Sequence, residues 1–82
     1  MSDKKIVVLQ RGWVVVGDYA KVDQEVIVSN ASVIRRWGTT KGLGEIAKNG
    51  PTSKTVLDEC GTVRAHEQAV IMAIDCNQDK WK

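Results

Sequence analysis

The sequence predicts a mainly β fold, either a small, strongly bent sheet or an SH3-like barrel of five to seven short strands, with one short helix. Three observations lead to this class. The chain has 82 residues, which suits a single domain spanning 1–82. Its apolar runs are rich in valine and isoleucine, whose branched side chains pack well on a pleated surface. Only one stretch, near 45–49, shows the apolar spacing of a helix.

The first two predicted strands are 5–10 and 13–16. Each has apolar residues at consecutive positions, Ile6 to Leu9 in the first and Trp13 to Val16 in the second. Successive side chains of a strand point to opposite faces, so we expect both faces of this sheet to be covered. A closed barrel would cover them, as would an oligomer that buries one face.

The next segment is predicted to form a hairpin of two further strands. Polar residues 20–24 indicate a loop, and 25–29 alternates as a third strand. Asn30 and Ala31 then predict a tight turn into a fourth strand, 32–37. These two strands are expected to pair with each other.

A glycine-rich turn, 38–44, leads into a predicted helix, which has helical spacing over 45–49 and is expected to begin near 40–42. Thr40 is the candidate N-cap, and Gly50 followed by Pro51 ends the helix. Short strands are predicted at 55–57 and 62–65, separated by a turn at 58–61, and a final strand at 69–75. The polar tail 77–82 is predicted to be flexible, which would leave Trp81 free to contact a partner.

Charge and composition narrow the function classes. The net charge of +2 is too small to predict nucleic-acid binding by itself, although the basic excess is densest at Arg35, Arg36 and Lys41. The charged start at 1–5 and the shortness of the longest apolar run, 69–74, lead us to expect a cytoplasmic protein with no membrane association. Cys60 and Cys76 are then expected to be reduced.

Residues 32–47, reading SVIRRWGTTKGLGEIA, and the Asn49-Gly50-Pro51 that follows them resemble a family of short proteins encoded by phages and prophages. The resemblance covers most of the chain, from the run at Ile6 to the strand ending at Ile74. It implies an accessory protein that acts inside a bacterial host cell. It implies no particular activity and no catalytic residue.

The strand, glycine-rich turn and helix start at 35–44 form the candidate ligand site. Free N–H groups at a helix start favour an anion, glycines let a phosphate approach the backbone, and hydroxyl and cationic side chains add donors. The residues predicted to bind are Arg35, Arg36, Trp37, Thr39, Thr40, Lys41, Gly42 and Gly44. The spacing matches neither a P-loop nor a dinucleotide fingerprint. The alternative is a structural turn that needs glycine for its backbone geometry.

No catalytic set is visible. His66 and Glu67 are adjacent on an extended segment and would face opposite ways, and the spacing of Cys60, His66 and Cys76 lacks the Cys-x-x-Cys of a zinc site. We therefore expect no enzyme activity, no metal and no cofactor. Trp13 and Trp37 are interpreted as the main hydrophobic anchors of the core, with stacking on a nucleobase as the alternative.

The function expected from these observations is non-covalent binding of a phosphate-bearing small ligand or a host protein, with self-association into a homo-oligomer. One alternative is a nucleic-acid-binding β-barrel module that stacks bases on Trp13 or Trp37. Another is a structural virion or assembly component that makes symmetric contacts through exposed strand edges.

Overall fold

The computed structural model describes residues 3–39 and 42–81, and within them it confirms a mainly β fold with one short helix. The elements in chain order are β1 (Asp3–Leu9), β2 (Val14–Val22), β3 (Glu25–Arg36), α1 (Leu43–Asn49), β4 (Val56–His66) and β5 (Val70–Asp75). Among the described residues, 3₁₀ turns also lie at Glu67–Ala69 and Gln78–Lys80, and a tight turn lies at Gln10–Gly12, where Arg11 has φ of +67°.

The strands form one antiparallel sheet in the order β4-β3-β2-β1-β5. The edge strands β4 and β5 are joined only by the turn Glu67–Ala69. A flat five-stranded sheet would hold its edges about 19 Å apart, whereas the four residue steps from His66 to Val70 span at most about 14 Å. The sheet must therefore curl. It is bent but not closed, because β4 and β5 are not paired with each other in the described chain.

Hydrogen bonds at the Glu67–Ala69 turn hold the curl. The Glu67 N–H donates to the Gln24 carbonyl at 2.8 Å, and the Gln10 side-chain amide donates to the Gln68 carbonyl at 3.2 Å. Lys21 forms a 2.7 Å ion pair with Glu67. Hydrogen bonding within this pair, and then its charge attraction, raises the pKa of Lys21 and lowers the pKa of Glu67. Its stabilising effect is therefore present at neutral pH, fades as Glu67 is protonated in acid, and fades as Lys21 loses its proton in base.

Both faces of the sheet are covered, as the consecutive apolar runs predict. Ile6 and Val7 are neighbours in β1 and both are fully buried, one on each face. The helix-side core comprises Ile6, Val14, Val16, Ile34, Ile46, Ala47, Cys76 and Trp81. The concave core comprises Val7, Val15, Val26, Val28 and Ala31. Helix and C-terminal segment cover the first core, and the curl of the sheet covers the second.

The predicted hairpin at Asn30 and Ala31 is wrong, because β3 runs unbroken from Glu25 to Arg36. Asn30 instead sits in a bulge, where its backbone has φ of +50° and its side chain donates to the Asp18 carboxylate at 3.2 Å. The pairing register shifts here on both sides of β3. The actual hairpin joins β2 to β3 at Asp23 and Gln24. The predicted loop at 20–24 therefore begins too early, because residues 20–22 belong to β2.

The predicted turn at 58–61 is also wrong, because β4 is a single strand. Gly61, with φ of +79°, lies opposite Ala31 beside the same register shift. A residue with positive φ can lie in a turn that ends a strand or in a bulge within a strand. Pairing with the neighbouring strand determines which of the two forms. The last strand and the helix form near their predicted positions. Thr40 lies outside the described residues, and Gly42 occupies the N-cap position without a side-chain cap.

The expectation that Trp81 is free for a partner is wrong, because its side chain is only 6% exposed. Its indole N–H donates to the Ile46 carbonyl at 2.9 Å, and the Asn77 N–H donates to the Ala47 carbonyl at 2.8 Å. The Gln78 side chain both accepts from the Lys4 N–H and donates to the Lys4 carbonyl. The segment after β5 therefore packs across α1 and β1.

We expect Trp81→Ala to lower the free energy of unfolding by about 3–5 kcal/mol, because it empties a buried aromatic site. Trp81→Phe should cost only about 0.5–1.5 kcal/mol beyond its volume change, since the Ile46 carbonyl still accepts from the Gly50 N–H at 2.8 Å. Urea unfolding followed by circular dichroism measures both. Trp13→Ala, at an exposed tryptophan, is the control, and an equal loss there would contradict the assignment of Trp81 to the core.

Candidate functional site

One end of the sheet gathers exposed aromatic and basic side chains. Val15 of β2 pairs with Val33 of β3, so Trp13, which directly precedes β2, and Arg35, near the end of β3, lie at the same end of the sheet. The turn before β2 adds Arg11. Arg36, the last residue of β3, and Trp37, which follows it, complete the set. We call this surface the aromatic–basic end, and it comprises Arg11, Trp13, Arg35, Arg36 and Trp37.

The two tryptophans of this end are exposed, Trp13 by 58% and Trp37 by 43%. The interpretation of both as the main hydrophobic anchors is therefore wrong. Trp81 and the buried isoleucines Ile6 and Ile46 hold that role instead. Large aromatic rings kept in water forgo the free energy of burial, so two of them at one end of a small sheet mark a surface suited to contact with a ligand.

The arginines of the predicted site differ in their partners. Arg35 Nε lies 3.1 Å from the Asp58 carboxylate, in a pair whose side chains are both more than half exposed. Such a pair contributes at most about 1 kcal/mol and can exchange for a phosphate. Arg36 makes no ion pair within residues 3–39 and 42–81. Arg35, Arg36 and Val56 border a cleft of about 330 Å³.

The start of the glycine-rich turn is fixed against the loop before β4. The Thr55 hydroxyl donates to the Trp37 carbonyl at 2.6 Å, and the Thr52 hydroxyl donates to the Gly38 carbonyl at 3.0 Å. Gly38 has φ of +72°, and a Cβ there would lie 2.5 Å from the Lys54 carbonyl carbon. Glycine is needed here for close backbone approach, which is the structural role that the sequence left open for this turn.

The helix start is organised mainly by its own residues. The Thr39 hydroxyl donates to the Gly42 carbonyl at 2.9 Å, and the Glu45 N–H donates to the same carbonyl at 3.3 Å. Thr39 therefore has a structural partner. A Cβ on Gly44 would meet nothing within 4 Å, whereas a Cβ on Gly42 would lie 3.7 Å from the Trp37 ring. The Trp37 ring therefore flanks the helix start.

The structure thus places Arg35, Arg36 and Trp37 together, beside Gly42 and the helix start. The predicted site residues Thr40 and Lys41 lie outside the described residues. The prediction missed that Trp13 belongs to the same end. Antiparallel pairing of the second and third strands would have shown it, but the sequence reading paired the third strand with a fourth that does not exist.

The histidine and the acidic residues outside this end have structural partners or lie apart in the described part of the chain. His66 Nδ1 accepts from the Gln68 N–H at 3.1 Å and so caps a turn. Within the described ranges, no three His, Cys, Asp or Glu side chains come close enough to share a metal ion. No helix in those ranges is both long and apolar enough to cross a membrane.

The two cysteines have different environments. Cys60 is exposed on β4, whereas Cys76 is buried in the helix-side core. Burial raises the pKa of the Cys76 thiol to about 11. Because the folded state holds this proton more tightly than the unfolded state, the contribution of Cys76 to stability is present below the ordinary value of 9.0 and is lost as the pH rises toward 11.

No protein-family model and no curated protein matches this chain. Its function must therefore be argued from the geometry of its own residues.

We expect Gly38→Ala to destabilise the protein by more than about 1 kcal/mol, because the added methyl group meets the Lys54 backbone and the positive φ becomes strained. Gly44→Ala is the matched control. It should stabilise the protein by about 0.5–1 kcal/mol, since this position is helical and open. Thermal unfolding measures both, and a neutral Gly38→Ala would contradict the close approach.

We also expect one of the two thiols to react rapidly with a disulfide reagent at pH 8 in the folded protein, and both to react in denaturant. The reactive thiol should be Cys60, because about 0.1% of Cys76 is thiolate at that pH. A Cys60→Ser variant should show no fast phase until it is unfolded. A fast phase in that folded variant would contradict the burial of Cys76.

Proposed function

We propose that the protein is a non-covalent binding module whose aromatic–basic end binds single-stranded nucleic acid. The observation on which this proposal rests is the exposure of Trp13 and Trp37 at one end of the sheet, beside three exposed arginines. Stacking of a base on an aromatic side chain contributes about 1–3 kcal/mol and tolerates any base. Guanidinium groups bind phosphate oxygens in a planar, two-point geometry.

Two exposed rings on neighbouring strands favour a strand of several nucleotides over a single small molecule. Trp13 directly precedes β2 and Trp37 directly follows β3, so the two rings stand at the same end of adjacent strands. Each ring can therefore stack a different base of one strand. Arg36, with no ion pair in the described chain, and Arg35, held only by an exposed carboxylate, are placed to contact the phosphates between them.

A phosphate-bearing small ligand is the second candidate, and the cleft between Arg35, Arg36 and Val56 favours it. In that case the phosphate would lie in this cleft, against the guanidinium groups of Arg35 and Arg36. The Thr39 hydroxyl and the Glu45 N–H both donate to the Gly42 carbonyl. The helix start therefore offers a phosphate fewer free donors than the sequence predicts. The resemblance to phage-encoded proteins supports, for either ligand, an accessory role in a bacterial cytoplasm.

The test is fluorescence anisotropy with labelled oligonucleotides of about 12 residues, in DNA and RNA, at two salt concentrations. Trp13→Ala and Trp37→Ala should each weaken binding about 5- to 100-fold through lost stacking. Arg36→Ala should weaken it less and lower the dependence of log affinity on log salt by about one unit.

Arg64→Ala is the matched control, because Arg64 is also an exposed arginine and pairs with Glu25 at the opposite end of β3. It should leave the affinity nearly unchanged. No binding by the wild-type protein at low salt would overturn the proposal, as would equal losses for Arg64→Ala and Arg36→Ala. Binding of a mononucleotide as tight as that of the oligonucleotide would favour the small-ligand candidate.

A further inference from the structure

The two edges of the sheet differ in their protection against pairing with another chain. The β4 edge carries Asp58, Glu59 and Arg64 and is bulged near Gly61, which are features that discourage strand addition. The β5 edge reads VIMAID and has one charged residue at its end. That residue, Asp75, is already paired with Lys5 at 3.2 Å.

The β5 edge also presents apolar side chains to solvent. Ile71 is 60% exposed and Met72 is 51% exposed. A register shift marks a bulge at Ile71, after which residues 72–75 pair regularly with β1. The regular part of this edge is therefore short, residues 72–75, and it is apolar apart from Asp75.

The hydrogen-bonding direction of β5 follows from its pairing with β1. The Cys76 N–H donates to the Lys4 carbonyl, so the backbone groups of residue 76 face β1. Because this direction alternates along an antiparallel strand, the N–H and C=O groups of Ala73 and Asp75 point away from β1. Within residues 3–39 and 42–81 these groups have no hydrogen-bond partner, so they can pair with another strand.

We infer that β5 pairs edge to edge with β5 of a second copy of this chain, antiparallel about a two-fold axis at Ala73. In that register the two Ala73 residues exchange N–H···O bonds, and Met72 of each copy lies opposite Ile74 of the other. Asp75 lies opposite Ile71 of the second copy, so no like charges meet. A second copy suits this edge because the apolar side chains of Met72 and Ile74 lie opposite each other in this register, and a small residue occupies the axis.

The dimer is weak because the shared edge is short. A standard interface buries about 800 Å² on each partner, which is more than one strand of this length provides. We expect a dissociation constant of about 1–100 μM, at the weak end of specific association. The pairing does not involve the aromatic–basic end, so it stands or falls separately from the proposed function.

Sedimentation velocity over protein concentrations from about 5 μM to 1 mM tests this inference. The wild-type protein should shift from monomer to dimer across the range. Ala73→Pro should remove the dimer, because proline deletes an N–H that faces away from β1 and is tolerated at such an edge position. Met72→Lys should weaken the dimer at least tenfold by placing charge beside the axis.

Val22→Lys is the matched control, since Val22 is 55% exposed on β2, outside the β5 edge. It should dimerise as the wild type does, and circular dichroism should show the same spectrum for every variant. If Ala73→Pro does not fold, the dimer affinities of Met72→Lys and Val22→Lys are compared instead, and only Met72→Lys should weaken the dimer. A wild-type monomer at every concentration would overturn the inference, and so would a dimer that Met72→Lys and Val22→Lys weaken equally.

Discussion

The three-residue link between the edge strands is the constraint on which the rest of the structure depends. Glu67–Ala69 can join β4 to β5 only if the sheet curls until the end of β4, beside Glu25, comes close to the start of β5, beside Leu9. Curling lets a single sheet enclose the concave core, where Val7, Val15 and Val28 meet without a second layer. The opposite face becomes convex and needs a cover of its own, which α1 and the segment ending at Trp81 provide.

The use of the three tryptophans follows from this division. The convex face has room for one large side chain between helix and sheet, and Trp81 fills it with its indole N–H bonded to α1. The concave core is built from valines and Ala31, with no tryptophan among its residues. Trp13 and Trp37 are left at the rim, where β2 begins and β3 ends. The surface that we propose for ligand binding is therefore a product of how the core is filled.

Local sequence was sufficient for the fold class and for much of the site, but not for the pairing of strands. The apolar run at Ile6 and Val7 predicts that both residues are buried. The basic and aromatic segment from Arg35 to Trp37 can likewise be recognised from the sequence alone. Asn30 and Gly61 were misread as turns because positive φ has the same local signature in a bulge. The place of Trp13 at the same end as Arg35 depends on the pairing of β2 with β3. The burial of Trp81 was not predicted because the residues around it in the sequence are polar.

The position of β1 has a consequence for how the chain folds. This strand lies between β2 and β5, and Lys5 pairs with Asp75 across seventy residues of sequence. Its partner β2 follows it closely in the sequence, whereas its other partner, β5, is synthesised much later. The entropy of closing so long a loop makes folding slow for a domain of this size. Until β5 arrives, the nascent chain exposes a valine-rich strand that is prone to aggregate.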